Sequence, residues 1–374
     1  MEAISSEVRK QLHYGKFTSQ EYSNISWAYA SLGMKDEPLL SAIAKSSLNI
    51  IRDFNPQDLA NTAWAFAKFD CRHQTMLEAI SSSALRIISD FNPQNLANTA
   101  WAYSALDFEH GPLFDAIAAE ALKKMTDIGN QSLAFLVDVH LPEPEVVKAL
   151  KRRMNRLVEE VVAEMSDTHF LSMGTRGLRL SELRIDNLGV FGTKLLMHRL
   201  AIGRAPADFV MRGESRMARR IEEMPSVNVN SAAVTRRILI QSEISQRRVF
   251  GFAEFRLVLE GRVVLEGESI QENGAKTTRG GPSRWLRPTE LGVSRWVERV
   301  LCAEFQLLAE LCDRLNDTVA LEDPVRRHQL SGCVRVLTST TPCLSCLGTF
   351  RQFQLLLPKV LFEAAHSLMK GCRE

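Results

Sequence analysis

The sequence predicts class α + α/β: an N-terminal α-solenoid of about three 37-residue helical hairpins, then a domain that mixes helices with strands. Three observations carry this. Residues of one type recur every 37 positions through the first third of the chain. Between 247 and 269, apolar and polar residues alternate on both sides of Glu260-Gly261, which is the pattern of a β-hairpin. Further on, two apolar helical patterns, each opening on a cysteine, flank one strand-like run, Gly332 to Ser339.

The repeat comes first in the chain. Phe17, Phe54 and Phe91 are 37 apart, as are Gln20, Gln57 and Gln94, then Asn24, Asn61 and Asn98, and Trp27, Trp64 and Trp101. Gln131, Ser132 and Leu133 begin a partial further unit in the same phase. Asn55-Pro56 and Asn92-Pro93 read as a helix cap followed by proline at the first helical position. The first helix of a unit is predicted over Gln57–Phe69 and again over Gln94–Phe108, and the second over Gln74–Ile88. One hairpin cannot bury its own apolar face, whereas stacked hairpins can. The recurring Trp and Ala are read as packing positions. Glu145–Met165 is predicted as one further helix closing the array.

The remainder divides by composition. Residues 166–230 hold clustered Arg with Gly and Pro and read as a connector, with short helices near Lys194–Leu200 and Asp208–Met224. This gives a repeat domain at 14–165, an Arg-rich connector at 166–230 and a second domain at 231–374. In that domain the pattern predicts a helix over Asn230–Gln246, strands over Arg247–Leu259 and Arg262–Ser269, helices over Cys302–Leu315 and Cys343–Leu357, and a last strand over Val360–Ala364. Asn273–Leu291 reads as a loop.

Charge is unevenly spread. Residues 1–150 carry 12 basic and 18 acidic side chains, whereas residues 151–300 carry 26 and 18. A basic segment beside a catalytic domain suits a polyanionic substrate, and equally suits a solvated face. No apolar run reaches the ~18 residues of a membrane span. Seven cysteines, of which Cys71, Cys312, Cys333 and Cys372 show no pairing logic, fit a reducing compartment. Residues 1–11 carry Glu2 and Glu7 and show neither a signal peptide nor an Arg-rich transit pattern. The chain opens almost inside a repeat, which points to a truncated start.

The chemistry gathers at Cys302-Ala303-Glu304 and Pro342-Cys343-Leu344-Ser345-Cys346. These place three thiols and a carboxylate at the starts of two helices, where the helix dipole favours thiolate. Three sulfur ligands with one open position make a catalytic Zn²⁺ site. Cys302, Cys343 and Cys346 are the expected ligands, and Glu304 is left to act on a water. Asn273, Arg284, Trp285, Arg287 and Arg295 are candidates for holding substrate through phosphate contacts and base stacking. The histidines His169, His328 and His366 are isolated.

Two resemblances sharpen this. The C-A-E and P-C-L-S-C pair, in a helix–strand–helix setting, resembles the cytidine-deaminase-like superfamily. The resemblance implies a three-layer α/β/α domain and hydrolytic deamination of a nucleobase, cytidine to uridine ahead of adenosine to inosine, with Glu304 as proton shuttle. Arg351-Gln352 lies farther from Cys346 than in the free-nucleoside enzymes. The repeat, over roughly residues 14–140, resembles the octotricopeptide and related arrays of organellar RNA-binding proteins. It implies single-stranded RNA as partner and a mitochondrion or plastid as location, with the cytoplasm otherwise. Its acidity leaves a protein partner open. The alternatives are an RNA-binding scaffold with a relic zinc domain, and a free-nucleotide deaminase with a protein-binding arm.

Overall fold

A computed structural model describes residues 2–14, 17–139, 141–165, 188–223, 249–273, 283–288 and 301–367. The chain divides into two compact units, residues 1–156 and 157–374.

The first unit is helical among its described residues. Its elements are α1 (Glu2–Tyr14), α2 (Ser19–Ser31), α3 (Glu37–Ser47), α4 (Pro56–Lys68), α5 (Gln74–Arg86), α6 (Pro93–Ala105), α7 (Gly111–Lys123), α8 (Asn130–Asp138) and α9 (Pro144–Glu164). The 37-residue phase governs the ends as well as the bodies of these helices. Thr18, Asn55 and Asn92 cap α2, α4 and α6, each accepting the backbone N–H three residues on. Asp36, His73 and His110 cap α3, α5 and α7 in the same manner. Gly33, Asp70 and Asp107 take the left-handed conformation just past α2, α4 and α6. Glycine has no Cβ to clash there, and Asp tolerates it.

Packing follows the same phase. α2 lies on α4, α4 on α6 and α6 on α8, while α1 lies on α3 and α5 on α7. Leu59, Ala60, Ala63 and Phe66 of α4, and Leu96, Ala97, Ala100 and Tyr103 of α6, are fully buried, as is Phe91, with Phe54 nearly so. Neighbouring hairpins are also held by cations on carbonyls. Arg86 donates to the Arg52 carbonyl at 2.5 Å. Lys124 donates to the Ser89 and Phe91 carbonyls at 2.5 and 2.7 Å. Arg153 donates to that of Ile128 at 2.6 Å. Arg72 donates to the carbonyls of Leu106 and, at 2.6 Å, Asp107.

The second unit contains α10 (Gly189–Arg199), β1 (Gly203–Arg204), α11 (Ala207–Glu223), β2 (Phe250–Leu259), β3 (Arg262–Glu272), α12 (Ala303–Val319), α13 (Pro324–Gln329), β4 (Ser331–Thr338), α14 (Leu344–Leu356) and β5 (Val360–His366). The five strands form one mixed sheet in the order β1-β5-β4-β2-β3. β2 runs antiparallel to β3 and β4, while β5 runs parallel to β4 and β1. Glu260 and Gly261 both have positive φ, 51° and 80°, as the two-residue turn of a right-twisted hairpin requires. Gly332, at φ 121°, is obligatory, since a Cβ there would sit 2.1 Å from the Arg256 carbonyl oxygen.

Helices cover both faces of the sheet. On one face α11 presses so closely that a Cβ on Gly213 would lie 2.6 Å from Leu337, and Phe209 and Met217 pack with Phe250 and Phe252. On the other face Ala303 and Leu307 of α12 lie over Gly251. The rings of Phe350 and Phe353 of α14 pack there, tilted, with centres 5.4 and 5.5 Å from that of Phe362. The α10–β1–α11 stretch, taken from sequence as connector, thus supplies an edge strand and one covering helix to this unit. The helix expected over Asn230–Gln246 lies outside the described residues.

Candidate metal centre

The three cysteines meet because two helices begin at one end of the sheet. Cys302 is the residue before α12, Cys343 the residue before α14, and Cys346 lies in the first turn of α14. The end of β4 is pinned next to them. Ser339 accepts the Phe250 N–H at 2.9 Å through its hydroxyl and returns its own N–H to the Phe250 carbonyl at 2.9 Å. Thr338 donates to the Thr340 carbonyl at 2.6 Å, which shapes the turn into Pro342-Cys343.

The sulfurs of Cys302, Cys343 and Cys346 lie within 4.8 Å of one another, and those of Cys343 and Cys346 are 3.4 Å apart. Tetrahedral zinc with ~2.3 Å bonds to sulfur sets its sulfurs about 3.8 Å apart. The set therefore fits such an ion with only small adjustment. No His, Asp or Glu of the described residues joins that group.

The thiols themselves depart from the expectation for helix starts. Hydrogen bonding with Cys343, and then burial, push the Cys302 thiol up from its ordinary value. Hydrogen bonds with Cys302 and Cys343, and then burial, do the same for Cys346. Three crowded, buried sulfurs disfavour a second and third negative charge more strongly than a helix dipole favours the first. A divalent cation reverses that balance.

Glu304 sits in the first turn of α12 and is 4% exposed, outside the sulfur group but close enough to act on Cys302 electrostatically. Of the candidates for holding substrate, Asn273 closes the hairpin: its side chain accepts the Val249 N–H at 2.6 Å and its own N–H goes to the Val249 carbonyl at 2.9 Å. Arg284 pairs with Glu322 at 2.5 Å and lies over the Trp285 ring at 5.5 Å. Arg287 is held through its backbone, with Gln352 accepting its N–H at 2.9 Å and donating to its carbonyl at 2.8 Å. Gln352 thus straps residues 283–288 to α14, with Leu286 buried as the anchor. Arg295 lies outside the described residues, as does His169.

Sequence reasoning missed Gln306. It is 6% exposed, one turn after Cys302 on the same face of α12, and neither atom of its amide has a hydrogen-bond partner. A polar residue in the apolar phase of Ala303, Leu307 and Leu311 was the signal available.

In the first unit the tryptophans are not core residues. Trp27 is 49% exposed, and Trp64 and Trp101 are half-buried. Helical spacing places Gln57, Asn61, Trp64 and Lys68 on one stripe of α4, away from the buried Leu59, Ala63 and Phe66.

A family model described as RNA-editing substrate-binding complex 6 protein matches residues 2–160. That span coincides with the repeat unit. No curated protein matches the chain. No helix among the described residues is long and apolar enough to cross a membrane.

Proposed function

We propose that this chain is an RNA-binding repeat protein of an RNA-editing apparatus, in which a short α-solenoid engages RNA and partner proteins beside a zinc-holding domain. The observation that carries the reading is the span of the family match, which covers α1 to α8 and ends within α9. A mitochondrial or plastid location accompanies this reading.

A second reading is favoured by Glu304. A site kept only for structural zinc has no use for a buried carboxylate two residues from a ligand. In this reading the second unit is a deaminase-like domain acting on cytidine in the bound RNA. Zinc, when bound to the three sulfurs, supplies Lewis acidity toward a water. Glu304, shielded from solvent, would take one proton from the water and give it to the ring nitrogen as the water oxygen bonds to C4, then take the second from that hydroxyl and give it to the amino group, which leaves as ammonia as C4 becomes a carbonyl. The carboxylate is suited to this because it stays outside the sulfur set.

One experiment addresses both. The full chain and its Glu304→Gln form are expressed in cells, and RNA crosslinked to each is recovered and sequenced. The expected result is equal RNA recovery by both forms, with C-to-U changes confined to the unaltered chain and reduced at least about 100-fold by the substitution. Failure to recover RNA with either form removes the first reading. RNA recovered without base changes removes the second and leaves the scaffold.

A further inference from the structure

The tryptophans recur in register along one stripe of the first unit. Trp27, Trp64 and Trp101 occupy the same position on α2, α4 and α6, helices that pack one on the next. Trp101 shows what each ring faces. It stacks on Phe135 of α8 at 6.0 Å and 27°, and Phe135 stands 37 residues after Asn98. By the same register the indole of Trp64 lies toward Asn98, and that of Trp27 toward Asn61. The Trp27–Asn61 and Trp64–Asn98 junctions therefore each pair a partly open π-face with a half-buried carboxamide, while at the third junction Phe135 meets the ring of Trp101. Lys68 adds a cation 5.7 Å from the Trp64 ring centre.

Phe135 accounts for the ring of Trp101, whereas Trp27, 49% exposed, carries a solvation cost that packing does not offset. A π-face beside an amide is suited to an unstacked base: the ring takes the face of the base and the amide its hydrogen-bonding edge. Stacked helices lie about 8–10 Å apart, too far for bases that remain stacked on one another. The surface therefore fits single strands.

The charge of the unit decides the character of the binding. Residues 1–150 carry 18 acidic side chains against 12 basic. Arg72, Arg86 and Lys124 in that span are bonded to backbone carbonyls of adjoining hairpins, and Lys10, Lys35, Lys123 and Lys148 pair with nearby carboxylates. The net charge of the span opposes phosphate attraction.

Resting on the RNA reading above, we infer that the indole–carboxamide pairs Trp27–Asn61 and Trp64–Asn98 take unpaired RNA bases, one at each pair, through stacking rather than phosphate attraction.

The test is fluorescence anisotropy of a labelled single-stranded RNA with the full chain. The variants are Trp64→Ala, Trp64→Leu, Trp64→Phe and the double Trp27→Ala/Trp64→Ala. Loss of one ring is expected to weaken binding about tenfold, and the double change about 100-fold. Trp64→Phe should restore most of the loss, while Trp64→Leu, which keeps apolar contact without a π-face, should not. The slope of log affinity against log salt should be the same in the double variant as in the unaltered chain, because the rings make no phosphate contact. If the unaltered chain binds no RNA, both the RNA reading and this inference fail. If it binds RNA and the Ala forms bind as well as the unaltered chain, if Trp64→Leu restores as much as Trp64→Phe, or if the double change flattens the slope, the inference fails and the RNA reading stands. Loss of a copurifying protein from the double variant at unchanged RNA affinity would assign the pairs to a protein partner, and would also overturn it.

Discussion

Zinc should stabilise the second unit in a manner that depends steeply on pH. Cys302 and Cys346 both hold their protons more tightly than ordinary thiols, Cys302 because of its hydrogen bond with Cys343 and burial, Cys346 because of hydrogen bonds with Cys302 and Cys343 and burial. At neutral pH a zinc ion must therefore displace at least two protons. The sign follows directly. Below the thiol pKa values protons compete with the metal, so raising the pH favours the bound form and acid strips it. Two protons correspond to about a 100-fold rise in apparent affinity per pH unit. Free zinc at about 100 times its dissociation constant stabilises the native state by ~2.7 kcal/mol. For a unit of this size, that is a rise in melting temperature of about 5–10 °C. The assay is thermal unfolding in zinc-buffered solutions between about pH 6.5 and 7.5, with bound metal measured by a chromogenic chelator. Cys302→Ser should lose both the bound metal and the temperature shift. A pH dependence below about tenfold per unit, or full stoichiometry in Cys302→Ser, would refute the ligand assignment.

Two further predictions concern the scaffold. Gly332→Ala places a methyl carbon 2.1 Å from the Arg256 carbonyl oxygen at a backbone angle that side chains avoid. It should cost the second unit about 3–5 kcal/mol in a urea titration, and a loss under about 1 would show that β2 and β4 are not paired in this register. His110 caps α7 with a ring nitrogen where Asp36 caps α3 with a carboxylate. His110→Asp should stabilise the repeat unit by about 1 kcal/mol through a stronger cap and a favourable helix dipole, and a fall in its melting temperature would contradict that.

The features legible in the sequence were those fixed by neighbours in the chain. Asn55-Pro56 started α4, Glu260-Gly261 turned the hairpin, and two cysteines marked helix starts that the fold brings together. β1, only Gly203–Arg204, was invisible because two residues become a strand only by pairing with β5, far along the chain. The cations bonded to carbonyls of the neighbouring hairpin are also products of distance. The tryptophans were a different case. Size and aromaticity alone read as core, yet the phase of Gln57, Asn61 and Lys68 marks that stripe of α4 as the wet one. In a stacked array the face buried by the next hairpin is the one carrying Ala60, Ala63 and Leu59, small enough for close approach.

That assignment bears on how one chain divides its work. Arg72, Arg86, Lys124 and Arg153 are drawn into bonds between hairpins and the unit as a whole is acidic, so under the proposed RNA reading its contribution to affinity is that of rings and amides. Residues 151–300 carry the opposite balance, 26 basic against 18 acidic, and 23 of those bases are arginine. Long-range attraction for a polyanion belongs to that segment, since it alone has charge in excess. Substitutions in the stripe should therefore alter affinity without changing its response to salt, whereas removal of arginines in 151–300 should flatten that response. The two kinds of variant separate base contact from phosphate contact on the same RNA.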